Sequence, residues 1–356
     1  AVPWRADVPY DELPWLPLRA VLETAAILRG LPDARAAIAA LGMATRLMPD
    51  PRVLVNTIPV LEAKASSETE NIVTTSDALF RGTKLDESAS DPAVKETLRY
   101  RTALWQGFRS MQQRPISART AVDVCSVIKG VDMDIRALPG TRVAANDRVL
   151  YSPPEGQELI QALLSNWEAY LHASGEVDPL VLMAVLHYQF EAIHPFADGN
   201  GRTGRILNIL VLVAAGLLQE PILFLSKRII ETRDDYYGLI QAVTEHGSWE
   251  PWIRYMVAVV RQSAEATTEK ILSVQQARAD FADRHRGLPG LANAGWLAVL
   301  FGQPYFRISD VVQECGVTRQ TASLWLRDYV ARGILESDKV GRDRLFLTPG
   351  FLDLLG

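Results

Sequence analysis

His194 to Arg205 read HPFADGNGRTGR, and this stretch limits what can lie on either side of it. Proline disfavours helix at the residue before it, so the apolar helix predicted over Val181–Ile193 should stop at His194. From Arg202 to Leu217 the apolar residues return at helical spacing. The centre of the chain is therefore a helix–loop–helix, with Asp198-Gly199-Asn200-Gly201 as the connection. The longest apolar run, ILNILVLVAAGLL (Ile206 to Leu218), sits just beyond it and is interrupted by Asn208. It is too short to cross a bilayer and reads as a buried core helix.

The loop has the chemistry of an anion site. Glycines let successive N–H groups turn toward one point, and the N-terminus of the next helix adds partial positive charge. Arg202 and Arg205 are three apart on one helix face and offer two planar forks suited to phosphate. Asp198 is a hard oxygen ligand able to hold Mg²⁺ between phosphates. His194 could take a proton from an attacking hydroxyl when neutral. The bland alternative is a helix-connecting turn with solvated arginines, but it leaves the histidine, the acid and both arginines unexplained.

Other motifs fit less well. GNGRTG satisfies the dinucleotide pattern G-x-G-x-x-G, but a helix and His-Pro-Phe precede it where that motif needs a strand. Glu220 stands near the expected acidic spacing, yet before the apolar ILFL and not at its end. The Gly-Lys-Ser/Thr of a P-loop is absent. Glu191 and His194 form one Glu-x-x-His, whereas a di-iron bundle needs two.

Before the loop, a Pro-rich arm leads into a helical stretch ending near residue 50. A second helix is expected from about Pro59 to Asn71, where Asn71 would stop it. Thr75–Arg81 looks like a cap and a new helical start, and Asp91–Gln113 is helical by spacing. Residues 135–151 alternate weakly, with turn residues at Pro139-Gly140 and Ala145-Asn146-Asp147, and predict a β-hairpin. Helices are expected at Gly156–Ala173, Pro179–Ile193, Asp234–Glu245 and from Trp249 to about Ala282. Arg284–Gly295 reads as a linker before a small C-terminal unit.

The 356 residues include 48% hydrophobic and 22% charged, enough for a normal core. A net charge of -5 excludes a global basic field for nucleic acid or membrane. The two cysteines, Cys125 and Cys315, form no metal or disulfide framework, which fits a reducing cytoplasm. No apolar leader segment is seen at the N-terminus, and no membrane association is expected.

The run from His194 to Arg205 matches in full the pattern H-x-F-x-D/E-G-N-G-R-x-x-R, and the chain so resembles the Fic family. LPWLP, SSETENIVTT, YSPP and DDYYGLI extend the resemblance over roughly residues 1–270. It implies a mainly α fold: an N-terminal helical region (1–115), a Fic helical core with a β-hairpin flap (116–283), and a linker with a winged helix-turn-helix (284–356).

Fic proteins mostly transfer AMP from ATP to a hydroxyl of a target protein. The resemblance implies that His194 deprotonates a Ser, Thr or Tyr hydroxyl, of another protein or of the chain itself. Asp198 would hold Mg²⁺. ATP would be bound along Gly199, Asn200, Gly201, Arg202, Thr203, Gly204 and Arg205, the Asn200 side chain and adjoining backbone cradling the α- and β-phosphates. Arg202 would neutralise the leaving β-phosphate and Arg205 would meet the γ-phosphate. Phe196 would be a buried anchor. Of Tyr236 and Tyr237, placed near the base, Tyr237 is preferred. The 135–151 hairpin would register the target protein by strand addition. Members of the family often pair as homodimers.

Ser66-x-x-x-Glu70-Asn71 matches the family's inhibitory motif, S/T-x-x-x-E-G/N. Glu70 lies near a helix C-terminus, where the dipole disfavours an anion. It needs a cation, and Arg205 is the candidate; Ser66, one turn earlier, would share the face. Thr69 departs from the usual aliphatic residue, which is expected to loosen the helix. Some members use the same glutamate to orient a water and remove AMP.

At the C-terminus, Thr318 can cap a second helix kept on a core by Ala322, Leu326 and Val330. Arg319, Gln320, Ser323 and Arg327 would point outward. Two strands around a Gly-Arg-Asp turn would carry Lys339, Arg342 and Arg344, so DNA is a second candidate partner. The chain would then be a DNA-binding regulator that senses nucleotide. A third reading keeps the fold but changes the donor or the direction of transfer.

Overall fold

The computed structural model describes residues 4–18, 20–48, 52–84, 91–145, 148–173, 175, 177–340 and 343–355. Its core is helical. α7 (Pro179–Ile193) and α8 (Asn200–Ala214) run through the centre, and nearly every residue of both is buried. α6 (Gln157–Ala173) and α11 (Trp249–Arg284) pack on α7, and α11 also carries α1 (Ala25–Arg46) along its length. α11 is one continuous helix of 36 residues.

α2 is Arg52–Thr69, so it begins well before the Pro59 expected as its start. Proline removes a single N–H, and here burial of Ile58, Val60, Leu61 and Ala63 overrides that loss. The end falls as expected: Asn71 adopts a left-handed φ of 63°, and the Ile72 N–H returns to the Ser67 carbonyl at 3.0 Å. Thr75 caps α3 (Ser76–Gly82) by accepting from the Ala78 N–H. α4 (Pro92–Met111) and α5 (Ala118–Lys129) follow, then a hairpin far shorter than expected. Its strands are β1 (Val143–Ala145) and β2 (Arg148–Tyr151), antiparallel, with an irregular register beside Val143. Residues 135–142 form no strand, because Gly140 at φ +90° turns the chain and its N–H donates to Glu155. Asn146 and Asp147 lie outside the described residues.

Two helices follow α8. α9 (Leu225–Glu231) was not expected; the buried carboxylate of Glu62 holds it by accepting from both the N–H and hydroxyl of Ser226. α10 (Arg233–His246) falls where expected.

The C-terminal unit comprises α12 (Ala294–Gly302), β3 (Tyr305–Arg307), α13 (Ile308–Cys315), α14 (Arg319–Ala331), β4 (Glu336–Val340), β5 (Asp343–Leu347) and α15 (Pro349–Leu355). Its sheet has the order β3-β5-β4 and is antiparallel throughout. β3 adds a strand to the two expected. Tyr329 is buried where Val330 was expected and Val330 packs at the margin, while Arg319, Gln320 and Arg327 are exposed. Arg342 lies outside the described residues. The unit is packed onto the body: α12 meets α2, and the Lys270 ammonium donates to the carbonyls of Leu354 and Leu355 at 3.1 and 2.9 Å. No helix among the described residues is long and apolar enough to cross a membrane.

Candidate active site

The loop between α7 and α8 is held open by unusual backbone. His194 caps α7 in the left-handed region at φ 49°, an uncommon place for a non-glycine residue, and its N–H still bonds to the Phe190 carbonyl. Arg136 fixes the turn from outside. Its guanidinium donates to the carbonyls of His194 (2.7 Å), Pro154 (2.6 Å) and Ile193 (3.3 Å), and its N–H donates to the Pro195 carbonyl. Inside, the Asn200 side chain accepts from the Phe196 N–H and donates to the Phe196 carbonyl, and Phe196 is fully buried. Asn200 thus braces the loop's own backbone, and these two bonds leave its amide a second N–H.

α8 starts at Asn200, two residues earlier than expected, because Gly199 at φ +87° makes the turn. No side chain caps this helix, which leaves the N–H groups of its first turn for a ligand. A Cβ at Gly199 would stand 3.2 Å from the Cys125 sulfur and close to the Lys129 chain. Gly199→Ala therefore combines backbone strain with a clash. It should cost about 2 kcal/mol and lower Tm by a few degrees in a thermal melt.

One pocket joins His194, Gly201, Arg205, Glu70 and Tyr237 beneath Val143, Leu150 and Tyr151 of the hairpin. The Tyr151 hydroxyl ties the hairpin to α7 by donating to the Ala192 carbonyl. Trp4 reaches the same pocket from the N-terminal arm. Both tyrosines line the pocket, but Tyr236 is buried, with its hydroxyl 2.8 Å from His187 Nε2, whereas Tyr237 is part-exposed with Arg233 over its ring. Thr203 and Gly204 are buried in α8 away from the pocket; Gly204 is pressed against Glu191 and His187.

Burial pushes the His194 imidazole down to about 4, with the nearby Arg136 charge acting the same way and a hydrogen bond to Glu191 opposing it. The ring is therefore neutral at pH 7, as a base must be. Burial also pushes the Glu191 carboxyl up to about 7. If His194 is the base, a Glu191→Gln variant should show a transfer rate that is flat from pH 5.5 to 8. An ordinary histidine would halve the rate near pH 6.5.

Arg205 and Glu70 form the expected pair. Arg205 is buried; its Nη2 stands 2.9 Å from Glu70 Oε1 and also donates to the Ser66 carbonyl, and its Nε donates to the Ser66 hydroxyl at 2.8 Å. Burial works against the guanidinium, but Glu70 and the surrounding tyrosines hold it charged. Glu70 Oε1 lies so near Gly201 that a Cβ there would sit 2.4 Å from it. Glu70 thus covers the start of α8 as well as the arginine. Thr69, expected to loosen the helix, is buried, and its hydroxyl donates back to the Ala65 carbonyl at 2.9 Å.

The second arginine and the acid belong to a different cluster. Arg202 donates to Glu96 at 2.7 Å, Lys129 bonds Asp198, and Lys129 also stands 3.5 Å from Glu96. Burial would raise the Asp198 carboxyl, but Lys129 and Arg202 hold it below its usual range. Its side chain keeps 61% exposure. No cluster of three or more metal-ligating side chains occurs among the described residues. A single exposed carboxylate does not cage a resident ion, yet it suits Mg²⁺ that arrives on phosphates and keeps several waters. Arg136, Lys129 and Glu96 were not singled out from sequence, since only tertiary packing brings them to the loop.

The comparisons with known proteins agree with this geometry. Residues 28–109 match the Fic/DOC family N-terminal model, residues 119–212 the Fic/DOC family model, and residues 287–351 the C-terminal domain of SoFic-like protein adenylyltransferases. The chain belongs to the Fic/DOC family. It is 33% identical over 104 residues to protein adenylyltransferase fic-1 of Caenorhabditis elegans, which is 29% of this chain and 18% of that protein. It is 32% identical over 130 residues to protein adenylyltransferase Fic of Nematostella vectensis, 35% of this chain and 27% of that protein. The chain thus spans about a quarter or less of the length of these relatives. A crystal structure of a Fic family protein from Desulfovibrio desulfuricans shares the fold, with a TM-score of 0.57 at 20% identity. The match covers 92% of this chain and 97% of that one.

Proposed function

We propose that the chain transfers AMP from ATP to a hydroxyl of a protein and that Glu70 restrains the reaction by holding Arg205. The observation that carries this reading is the meeting of a neutral His194, the uncapped start of α8 and Arg205 in one pocket below a hairpin edge. The names of the relatives, protein adenylyltransferase, support it.

The chemistry is positioning and charge stabilisation. The triphosphate lies on the first-turn N–H groups of α8. His194 Nδ1 is directed at the Glu191 carbonyl, 3.4 Å away, which leaves Nε2 to take the proton. The target's hydroxyl oxygen then bonds to the α-phosphorus, the bond from that phosphorus to the β-phosphate oxygen breaks, and pyrophosphate leaves. Arg205, in the pocket, would meet the charge that develops on it, and Arg202, bonded to Glu96 beside Asp198, would add to it from the neighbouring cluster. Asp198 would hold Mg²⁺ on the phosphates, which supplies further neutralisation when bound. The strands β1 and β2 of the hairpin offer main-chain groups to an extended segment of the target. Mass spectrometry of the Glu70→Gly protein after incubation with ATP should find AMP on a Ser, Thr or Tyr, with one pyrophosphate released per adduct. Pyrophosphate release without any adduct would count against protein as the acceptor.

A second reading, binding of duplex DNA by the C-terminal unit, is favoured by one groove. There, Arg319 and Arg327 of α14 face Arg344 of β5 across Ser323. It predicts salt-dependent binding that weakens in Arg319→Ala and Arg327→Ala.

A further inference from the structure

The inhibitory glutamate sits at the end of α2, and three links later the same segment is gripped by the far end of the chain. Glu70 and Asn71 follow α2 directly, four residues lead to α3, and α3 with Thr83 and Lys84 lies against the C-terminal unit. The Tyr305 hydroxyl of β3 bonds the Asp77 carboxylate, and the Arg81 guanidinium lies over the Tyr305 ring, 5.4 Å from its centre. Arg81 also reaches Asp338 of β4 at 2.8 Å. Lys84 reaches Asp310 of α13 at 2.7 Å, and the Lys84 carbonyl accepts from Arg307. α12 packs on α2 itself, and α15 on α3.

The body of α2 is anchored separately. Glu62 is buried and bonded to Tyr100 and Ser226, so the middle of the helix has no freedom to swing. Beyond Glu62 lie only the last turn, with Ser66 and Glu70, and the short connection to α3. A short connection pinned at both ends cannot drift, so whatever fixes α3 also limits how far Glu70 can leave Arg205.

We infer that Arg81, Lys84 and Asp338 are positioning residues for Glu70, through which the C-terminal unit clamps the inhibitory segment. The inference rests on the reading of Glu70 as inhibitor. It makes the C-terminal unit a part of the restraint on transfer, whatever else that unit binds. The energy at stake is that of part-exposed ion pairs, so each contact should contribute a modest factor.

The test uses the full chain. Asp338 is 55% exposed and its one ion pair among the described residues is with Arg81, so Asp338→Asn and Asp338→Arg disturb the clamp with little risk to the core. Transfer from α-labelled ATP is measured for both, in the wild-type and Glu70→Gly backgrounds, together with amide hydrogen exchange over residues 66–72. The clamp predicts a rise of about threefold for Asp338→Asn and about tenfold for Asp338→Arg, no rise in the Glu70→Gly background, and faster exchange at 66–72. Lys84→Ala should behave like Asp338→Asn. Wild-type rates and exchange in all three variants, beside an activated Glu70→Gly, overturn the clamp alone. An equal rise in both backgrounds also overturns it, because the effect would then bypass Glu70. A Glu70→Gly protein no faster than wild type removes the inhibitory reading itself, and the clamp with it.

Discussion

Glu70→Gly should raise AMP transfer by about tenfold to a hundredfold over the wild-type chain, the range of a typical coupling between two states. The argument runs through Arg205. Its guanidinium is buried, so it cannot be left without an anion at small cost. Glu70 supplies that anion at 2.9 Å, and Ser66 takes two further donors. Nucleotide that enters must win Arg205 from this set or settle beside it in a pose unsuited to attack. Removing the Glu70 carboxylate leaves Arg205 needing an anion, which the γ-phosphate can provide, and clears the space over Gly201. The variant should therefore bind ATP more tightly as well as transfer faster, and titration calorimetry with a non-transferable ATP analogue measures the first effect. Arg205→Ala should not mimic it, since it removes the phosphate contact together with the latch.

His194→Ala in the Glu70→Gly background should lower transfer by at least about a hundredfold, the usual worth of a placed general base. ATP affinity should change little, because His194 is placed for the attacking hydroxyl while α8 and Arg205 are placed for the phosphates. The alanine keeps its Cβ and with it the left-handed strain, but Arg136 and Asn200 still brace the loop, so the fold is expected to persist, and circular dichroism checks that. A large loss of nucleotide binding in this variant would mean that His194 serves the loop's shape and not the proton.

Much of the site was legible because it is local. His194, Asp198, Gly199 and both arginines lie within twelve residues, and Pro195 and the glycines announce the turn that gathers them. Glu70 was legible through its resemblance to the family's inhibitory motif, and its place at a helix C-terminus, where an anion needs a cation, fits the pair it makes with Arg205. What lay outside the reading is non-local. Lys129 and Glu96 reach the loop from α5 and α4, and Arg136 comes from a segment whose turn residues suggested a longer hairpin. Asn200 illustrates a different limit. Its type suits a phosphate or a loop staple equally, and the bonds to Phe196's N–H and carbonyl are set by the fold and not by the motif. The start of α2 was misplaced because Pro59 reads as a helix opening, while buried neighbours on both sides carry the helix through it. The packing of the C-terminal unit onto α3 was invisible for the same reason. Asp77, Arg81 and Lys84 look like ordinary surface charges until β3, α13 and β4 meet them.

The most direct measurement is protein labelling from ATP carrying its label at either the α- or the γ-phosphate, with Mg²⁺, in the wild-type, Glu70→Gly and His194→Ala proteins. The account predicts label from α- but not γ-labelled ATP, raised in Glu70→Gly and absent in His194→Ala. Label from the γ-position would make the chain a phosphoryl-transferring enzyme instead, and no label in any variant that is folded and binds ATP would contradict AMP transfer outright.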